Sequence, residues 1–241
     1  MTTTLPAKPS LHLLLLNQFP IYEQLQLEEA LLRADDRNWI LLNYGSPPAI
    51  VMGISGVPEK LIDLQQLVQR PVPVIRRFSG GGTVFIDPNT VFATWICNTA
   101  HVDVPCCPQK VHHWTAQFYR QAFPHLKMDL KENDYVIGDY KWGGNAQYLC
   151  KGRWLHHTSI LWDYDAANMQ YLLMPAKKPA YRQERGHDQF LCRLRDHFSD
   201  PLHITSHIVA NLHERFNVIQ PSLDESLEVL QRPHRKALSL L

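Results

Sequence analysis

The sequence predicts a mixed fold of β-strands and α-helices, because two kinds of periodicity alternate along it. Runs rich in leucine, β-branched and aromatic residues, typical of strands, lie at 11–16, 39–44, 49–53 and 90–98. Segments with apolar residues at helical spacing lie at 22–35, 58–69 and 108–124. The chain has 241 residues, 45% of them apolar, which is enough to bury a sizeable core. We therefore expect one domain over residues 1–241.

The net charge and the cysteines of the sequence argue against several classes of protein. A formal net charge of +1 argues against a general nucleic-acid binder or a membrane-surface binder. The apolar run LHLLLL at 11–16 is too short to span a bilayer, so we predict a buried strand there. Five cysteines without CxxC spacing argue against a disulfide framework or a zinc ribbon. Reduced thiols are typical of a reducing compartment, and we expect a cytoplasmic protein.

The first elements follow from apolar runs and prolines. Residues 1–10 are polar and proline-marked, which predicts a loose N-terminal arm. Pro20 suits the first turn of the helix that follows it. The runs 39–44 and 49–53 are separated by the turn-forming GSPP, so we predict two neighbouring antiparallel strands.

The middle of the chain continues this alternation. Residues 58–69 predict one helix. Its inner face is expected to carry Leu61, Leu64, Leu67 and Val68. The run 90–98 predicts a central strand, in which Cys97 packs as a small apolar group.

The remaining segments are expected to cover the sheet. A helix is predicted from Pro108 to about residue 124, and we expect its His112 and His113 to be surface or partly buried residues without a shared metal, because neighbouring helical positions point in different directions. Residues 176–241 predict a helical C-terminal cover. Within them, the basic, proline-marked segment 177–190 is expected to close over a ligand.

The most informative stretch is RRFSGGGTVFID, residues 76–87. Three consecutive glycines, Gly80 to Gly82, lie between two strand-like runs. The sequence therefore predicts a hairpin that turns sharply with its backbone exposed and no Cβ in the way, so that it can hold a charged ligand closely. Arg76 and Arg77 precede the glycines, where a fixed guanidinium suits bidentate pairing with phosphate or carboxylate.

A second informative stretch is KWGGNAQ, residues 141–147. We expect Lys141 to lie in a turn beside Gly143 and Gly144. Lysine offers a compact cation on a long stem, which suits a group that follows an α-phosphate or an acyl carboxylate through a reaction.

Polar residues surround the lysine motif in the sequence. Oxygen atoms of Asn133 and Asp134 are suitable ligands for Mg²⁺ or partners for a nucleotide hydroxyl. The amides of Asn145 and Gln147 are suited to reading polar edges. The next strand is expected to begin near His156 and His157.

Together these motifs resemble the lipoate protein ligase branch of the biotin and lipoate ligase superfamily. RRFSGGGTVFID is similar to the family's arginine-arginine, serine, triple-glycine signature, KWGGNAQ to its catalytic lysine motif, and HHTSIL to the strand that follows. The motifs stand in the family's order, and the resemblance covers roughly residues 11–175. It implies an α/β (α+β) fold like that of class II synthetases, with a mainly antiparallel or mixed sheet flanked by helices.

The resemblance also implies an activity and its partners. Lipoate-protein ligases activate lipoate or octanoate with ATP and Mg²⁺ to an acyl adenylate and release pyrophosphate. A carrier lysine then attacks the mixed anhydride, so no enzyme nucleophile is needed. The implied carriers are apo lipoyl domains of 2-oxoacid dehydrogenase E2 subunits and the glycine cleavage H protein, with no nucleic acid and no membrane involved.

The resemblance also implies roles for individual residues of this sequence. Lys141 is implied to be catalytic and to hold the acyl carbonyl and the phosphate, and Asp134 to be the metal ligand. The residues implied to bind substrate or ATP are Arg76, Arg77, Ser79, Gly80, Gly81, Gly82, Thr83, Asn133, Asp134, Gly144, Asn145 and His157.

Three places depart from the family pattern. Ile86 stands where members usually carry histidine, residues 53–56 read GISG instead of glycine, arginine, any residue, glutamine, and Thr158 replaces a glycine. These changes predict an altered acyl pocket. The residues beyond 175 are too few for the accessory domain of many bacterial ligases, which makes a separate accessory protein a candidate partner.

Two alternatives stay open. One is an octanoyl or lipoyl transferase of the same superfamily, which would act through a cysteine thioester without ATP. Cys150 is the nearby thiol, although related transferases have theirs before the lysine motif. The other is a catalytically weak protein that binds an acyl adenylate or a carrier.

Overall fold

The structure, a computed structural model, describes residues 7–176 and 178–241. Its strands are β1 (Ser10–Asn17), β2 (Trp39–Tyr44), β3 (Ala49–Met52), β4 (Val74–Arg76), β5 (Val84–Ile86), β6 (Thr90–Asn98), β7 (Met128–Lys131), β8 (Asp134–Ile137), β9 (Tyr140–Cys150), β10 (Arg153–Leu161), β11 (Asn217–Ile219) and β12 (Ser239–Leu240). Its helices are α1 (Ile21–Ala34), α2 (Pro58–Leu61), α3 (Leu64–Gln69), α4 (Pro108–Ala122), α5 (His187–Phe190), α6 (Leu202–Arg215) and α7 (Leu223–Leu227). Residues 1–6 of the predicted arm lie outside the described residues, and Ser10 already begins β1.

The strands form two sheets. The larger has eight strands in the order β11-β1-β2-β6-β10-β9-β8-β7, and the smaller has four in the order β12-β4-β3-β5. In the larger sheet β1 pairs in parallel with β2 and β11, and the other neighbours are antiparallel. The predicted mixed, mainly antiparallel sheet flanked by helices is thus confirmed.

β6 shows how the sequence builds the core. Alternate side chains of a strand point to opposite faces of the sheet. Val91, Ala93, Trp95 and Cys97 pack on the face covered by α4 and α6, whereas Ile96 packs on the face covered by α1. Every residue from Thr90 to Cys97 is buried, which explains the near-continuous apolar run; the buried threonines Thr90 and Thr94 lie on the same face as Ile96. The prediction of a central strand with a packed Cys97 is confirmed.

The predicted pairing of residues 39–44 with 49–53 is wrong. β2 lies between β1 and β6 in the larger sheet, whereas β3 belongs to the smaller sheet. Between them Gly45 adopts a positive φ of 78°, and its N–H donates to the Thr90 carbonyl at 2.8 Å. Two prolines follow in the loop, and they supply no N–H groups for a hairpin.

The single helix predicted over 58–69 is also wrong. Asp63 accepts a hydrogen bond from the Gln66 N–H at 3.0 Å and starts a second helix, α3. Ile62, at the break, is buried and bridges to Leu172. Val68, expected on the inner face, is 81% exposed. Of the other three, Leu64 is also exposed, whereas Leu61 and Leu67 pack against the smaller sheet.

The C-terminal cover is not purely helical. β11 extends the larger sheet beside β1, and β12 pairs with β4 in the smaller sheet. Two backbone N–H groups just before β12, those of Ala237 and Leu238, donate to the buried Glu29 carboxylate of α1. Among residues 7–176 and 178–241, every helix is too short or too polar to cross a bilayer.

Candidate active site

The glycine stretch joins β4 to β5, but the predicted hairpin is wrong because β3 lies between these two strands. The loop therefore crosses the end of β3. There the Ile54 N–H donates to the Ser79 carbonyl at 3.0 Å. Gly81 adopts a positive φ of 106°, and a Cβ at this position would meet the Asn145 carbonyl of β9 at 3.2 Å. The loop thus lies directly against the strand that carries the lysine motif.

The Arg77 side chain holds this loop in shape. Its guanidinium is 4% exposed and donates to the carbonyls of Gly80 at 2.8 Å and Gly82 at 2.9 Å. A longer bond of 3.4 Å reaches the Val51 carbonyl of β3. Burial lowers the pKa of Arg77 to about 10, against an opposing effect of Glu28, so the group stays charged at neutral pH. Most of its donors are thus already used within the loop.

Lys141 lies inside β9 and not in the predicted turn, which is formed instead by Gly138 and Asp139. The pairing of β8 with β9 shifts register between Tyr135 and Val136. Such a bulge re-aims side chains locally. The Lys141 Nζ lies 2.7 Å from Oδ1 of Asp134.

Two cavities meet at Lys141. The larger, of about 630 Å³, is a size typical of small-molecule sites. The smaller, of about 90 Å³, has apolar walls that include Ile21, Leu25, Val51 and Ile86. Residues that border both cavities are Gly82, Thr83, Val84, Lys141, Gly144, Asn145, Ala146 and Ser159.

Most predicted site residues come together here. The larger cavity is also bordered by Gly80, Gly81, Asn133 and Asp134, and the smaller by Arg77 and His157. Two predicted residues, Arg76 and Ser79, border neither cavity. Ser79 is buried, and Arg76 donates to the Gly56 carbonyl at 3.3 Å.

His157 belongs to a buried polar network that sequence reasoning missed. Its Nδ1 lies 3.1 Å from the Glu28 carboxylate and 3.0 Å from Oγ1 of Thr94. The same carboxylate accepts from Thr94 at 2.7 Å and from Nε2 of Gln24 at 2.7 Å. Glu28 is fully buried, and the Glu-Glu pair on α1 gave no sequence signal of this role.

The basic segment borders the larger cavity, and its closure over a ligand stays a prediction. Lys178, Pro179, Arg182 and His187 line one side, and the Tyr181 hydroxyl donates to Oδ2 of Asp134 at 2.9 Å. Residue 177, at the start of the predicted segment, lies outside the described residues.

Some buried polar atoms beside the larger cavity have no hydrogen-bond partner among the described residues. Oγ1 of Thr83 and Nε2 of His187 are buried without a hydrogen-bond partner among the described residues. Native proteins rarely leave such atoms unsatisfied. Both residues border the larger cavity, so a bound ligand could complete their hydrogen bonds.

Asp134, the predicted metal ligand, is a single carboxylate beside the larger cavity. In the described part of the chain, no three His, Cys, Asp or Glu side chains form a group able to hold a metal ion. Mg²⁺ in nucleotide sites needs only one or two carboxylates, because substrate phosphates and water supply the other ligands. Asp134 borders the larger cavity, and in this structure its two carboxylate oxygens contact Lys141 and Tyr181.

Cys150 lies outside both cavities. It ends β9, about 30 Å along the strand from Lys141 at the rise of an extended chain. All five cysteines are free thiols.

The comparisons with known proteins agree on one family. The model of the lipoyl protein ligase A/B catalytic domain matches residues 20–215. A curated Plasmodium falciparum protein named inactive lipoate–protein ligase 2 is 24% identical over 254 residues, which cover 81% of this chain and 66% of that protein. The chain spans between 27% and 66% of the lengths of eight curated relatives that it matches.

Solved structures share the fold. A bipartite archaeal lipoate protein ligase, described with its E2 lipoyl domain from Thermoplasma acidophilum, has a TM-score of 0.75 at 16% identity and covers 93% of this chain and 91% of its own. A lipoate-protein ligase A bound with ATP has a TM-score of 0.75 at 15% identity and covers 93% of each chain.

Proposed function

This chain belongs to the lipoyl protein ligase A/B catalytic-domain family, as its motifs predicted, and from that premise we propose that it is a lipoate-protein ligase. It activates lipoate or octanoate with ATP and transfers the acyl group to a lysine of a lipoyl domain, such as those of 2-oxoacid dehydrogenase E2 subunits or the glycine cleavage H protein. The observation that carries the proposal is that Lys141 borders both cavities. One cation can therefore reach a carboxylate in one cavity and a phosphate in the other.

The two cavities suit the two halves of an acyl adenylate. The smaller, apolar-walled cavity takes the acyl chain, and Ile86 makes its wall more apolar than the histidine usual in the family would. The larger cavity, with its unpaired polar atoms, takes the nucleotide. One of the proteins that share this fold has been solved with ATP bound, which supports the proposal that the larger cavity takes a nucleotide.

The chemistry follows from this placement. An oxygen of the acyl carboxylate attacks the α-phosphorus of ATP, the bond from that phosphorus to the bridging oxygen breaks, and pyrophosphate leaves. Lys141 is positioned to stabilise the charge that develops on the phosphate and on the acyl carbonyl. The carrier amine then attacks the acyl carbon, AMP leaves, and the amine loses its proton to solvent. Asp134 would hold Mg²⁺, which supplies neutralisation of the phosphate charge when bound.

The test is the intact mass of an apo lipoyl domain after incubation with this protein, lipoate, ATP and Mg²⁺. We expect a lipoyl mass gain that requires ATP, and no gain with Lys141→Ala. The matched control is Lys151→Ala, which removes the same side chain from the exposed turn at the other end of β9. A Lys141→Ala protein that modifies the carrier at the normal rate would contradict the role of this lysine.

A binding protein without turnover is the second candidate. The Plasmodium relative named inactive favours it, as do the family departures at residues 53–56, 86 and 158. Lipoate-dependent pyrophosphate release would exclude this candidate, whereas acyl-adenylate binding without release would support it. If release requires a second protein, the bipartite archaeal ligase that shares this fold supports an accessory partner.

A cysteine-dependent transferase is disfavoured by the position of Cys150 outside both cavities. The mass experiment distinguishes it, because octanoyl transfer from a carrier protein without ATP would require such a thiol. With all five cysteines free, we propose a reducing compartment such as the cytoplasm.

A further inference from the structure

His112 is a polar residue of the larger cavity that the chemistry above does not use. It lies in the second turn of α4, borders the cavity and is 4% exposed. Its Nε2 is buried and has no hydrogen-bond partner among the described residues. A buried polar atom keeps its position at a cost in free energy unless a water or a ligand completes its hydrogen bonds. His112 borders the open cavity, so its ring lies beside any ligand that is held there.

The surroundings of His112 keep its ring uncharged. The Tyr135 ring meets it edge to face at 4.9 Å between centroids, and the His156 ring lies at 5.4 Å. Burial lowers the pKa of His112 to about 4, although the Asp134 carboxylate acts in the opposite direction. A neutral imidazole has one N–H and one lone pair, so it can both donate to and accept from an uncharged polar group. Phosphate oxygens form stronger hydrogen bonds with cations such as Lys141.

The position of His112 relative to Lys141 indicates which half of the adenylate it meets. Lys141 borders both cavities, whereas His112 and Asp134 border only the larger. Under the proposed function, Lys141 marks the α-phosphate and the smaller cavity holds the acyl chain. His112 therefore lies on the nucleotide side of the reacting centre.

We propose that the imidazole of His112 hydrogen-bonds an uncharged polar group of the nucleoside, on the base or the ribose, and so strengthens the binding of ATP. This inference rests on the proposed function, because it requires that the larger cavity takes a nucleotide. The prediction that His112 is a surface or partly buried residue is wrong, because it is 4% exposed.

The test is calorimetric binding of ATP, AMP and lipoate to the full chain and to three variants. His112→Phe keeps the ring volume and removes both nitrogens. We expect it to weaken ATP and AMP by the same factor, about tenfold, the order expected for one hydrogen bond to a neutral group. Lipoate binding stays unchanged. His112→Gln restores a donor and an acceptor and recovers part of the loss.

The matched control is His113→Ala. His113 is exposed, and its Nδ1 already bonds the Gln109 carbonyl of its own helix at 2.7 Å. We expect this variant to bind all three ligands like the wild type. Thermal unfolding of each variant checks that the fold is kept, and His112→Gln serves as the readout if His112→Phe fails to fold.

Four outcomes would overturn the inference. The first is an ATP affinity within twofold of wild type in both His112 variants. The second is a loss of affinity for ATP without a loss of affinity for AMP, which would place His112 on the phosphates. The third is an equal loss for lipoate. If the wild type binds no ATP, the proposed function fails as well; if it binds ATP and only the variants fail to differ, the proposed function stands.

Discussion

Gly53→Ala tests whether the glycine loop must lie against the end of β3. Gly53 follows β3 directly and has no positive φ, so alanine suits its backbone. The added Cβ would clash with the Gly81 carbonyl oxygen, because the two atoms would be much less than 3.0 Å apart. It would also lie only 3.3 Å from the Gly81 C atom and 3.4 Å from the Gly81 N atom. Backbone atoms cannot rotate away as a flexible side chain can. The loop must therefore move by about 1 Å to restore an ordinary contact of roughly 3.3 Å.

A shift of this size predicts a large loss of activity. Misplacing reacting groups by about 1 Å costs on the order of 100-fold in rate, which corresponds to about 2.7 kcal/mol of transition-state stabilisation. The stability cost is smaller, about 1–3 kcal/mol for overpacking. The assay is the rate of ATP-dependent carrier lipoylation, with thermal unfolding measured in parallel.

The matched control is Gly80→Ala in the same loop. A Cβ on Gly80 meets nothing within 4 Å, and the φ of Gly80 is not positive. Gly80→Ala serves as the control for stability: we expect a gain of about 0.4–1 kcal/mol, because alanine restricts the unfolded chain. Near-normal turnover in Gly53→Ala would refute the steric reasoning.

Three further predictions concern other parts of the molecule. Glu28→Ala leaves the donors of Gln24 and Thr94 without their buried acceptor, so we expect the free energy of unfolding in urea to fall by about 3 kcal/mol, and Glu28→Gln to cost less. Burial, with a smaller effect of two neighbouring histidines, holds the pKa of His156 well below its ordinary value, so the unfolded chain binds a proton that the folded chain does not. The contribution of this residue to the free energy of unfolding is therefore complete above about pH 6.5. Below that pH it falls by at most about 1.4 kcal/mol per pH unit. We expect His156→Gln to flatten this slope when urea denaturation is measured at several pH values. Cys150→Ser should leave ATP-dependent lipoylation unchanged, and loss of carrier modification would show that this thiol takes part.

The lysine motif shows what sequence reasoning reached and what it missed. It identified Lys141 and its glycines but placed them in a turn. The structure shows another reason for glycine: a Cβ on Gly144 would meet Oγ of Ser159 at 2.9 Å, and one on Gly143 would meet the Ser159 carbonyl at 3.4 Å. Two strands approach closely there, and such a tertiary contact leaves no mark in local periodicity.

The pairing of strands was predicted less well than their existence. Residues 39–44 and 49–53 are both strands, as their composition indicated, but they belong to different sheets. Local composition reports how well a segment suits a pleated surface and not which strand lies beside it. Glu28 was missed for a related reason, because its acceptor role depends on Thr94 and His157, which are distant in sequence.

The pairing of β12 with β4 has a consequence for synthesis of the chain. Leu240 pairs with Ile75, so a strand near the start of the glycine loop receives its second neighbour only after most of the chain has been made. At ordinary translation rates this interval is roughly 10–30 s. During it the outer edge of β4 offers unpaired N–H and C=O groups, a template for pairing with other nascent chains. Newly made molecules should therefore need chaperone protection most strongly until translation has reached residues 239–240.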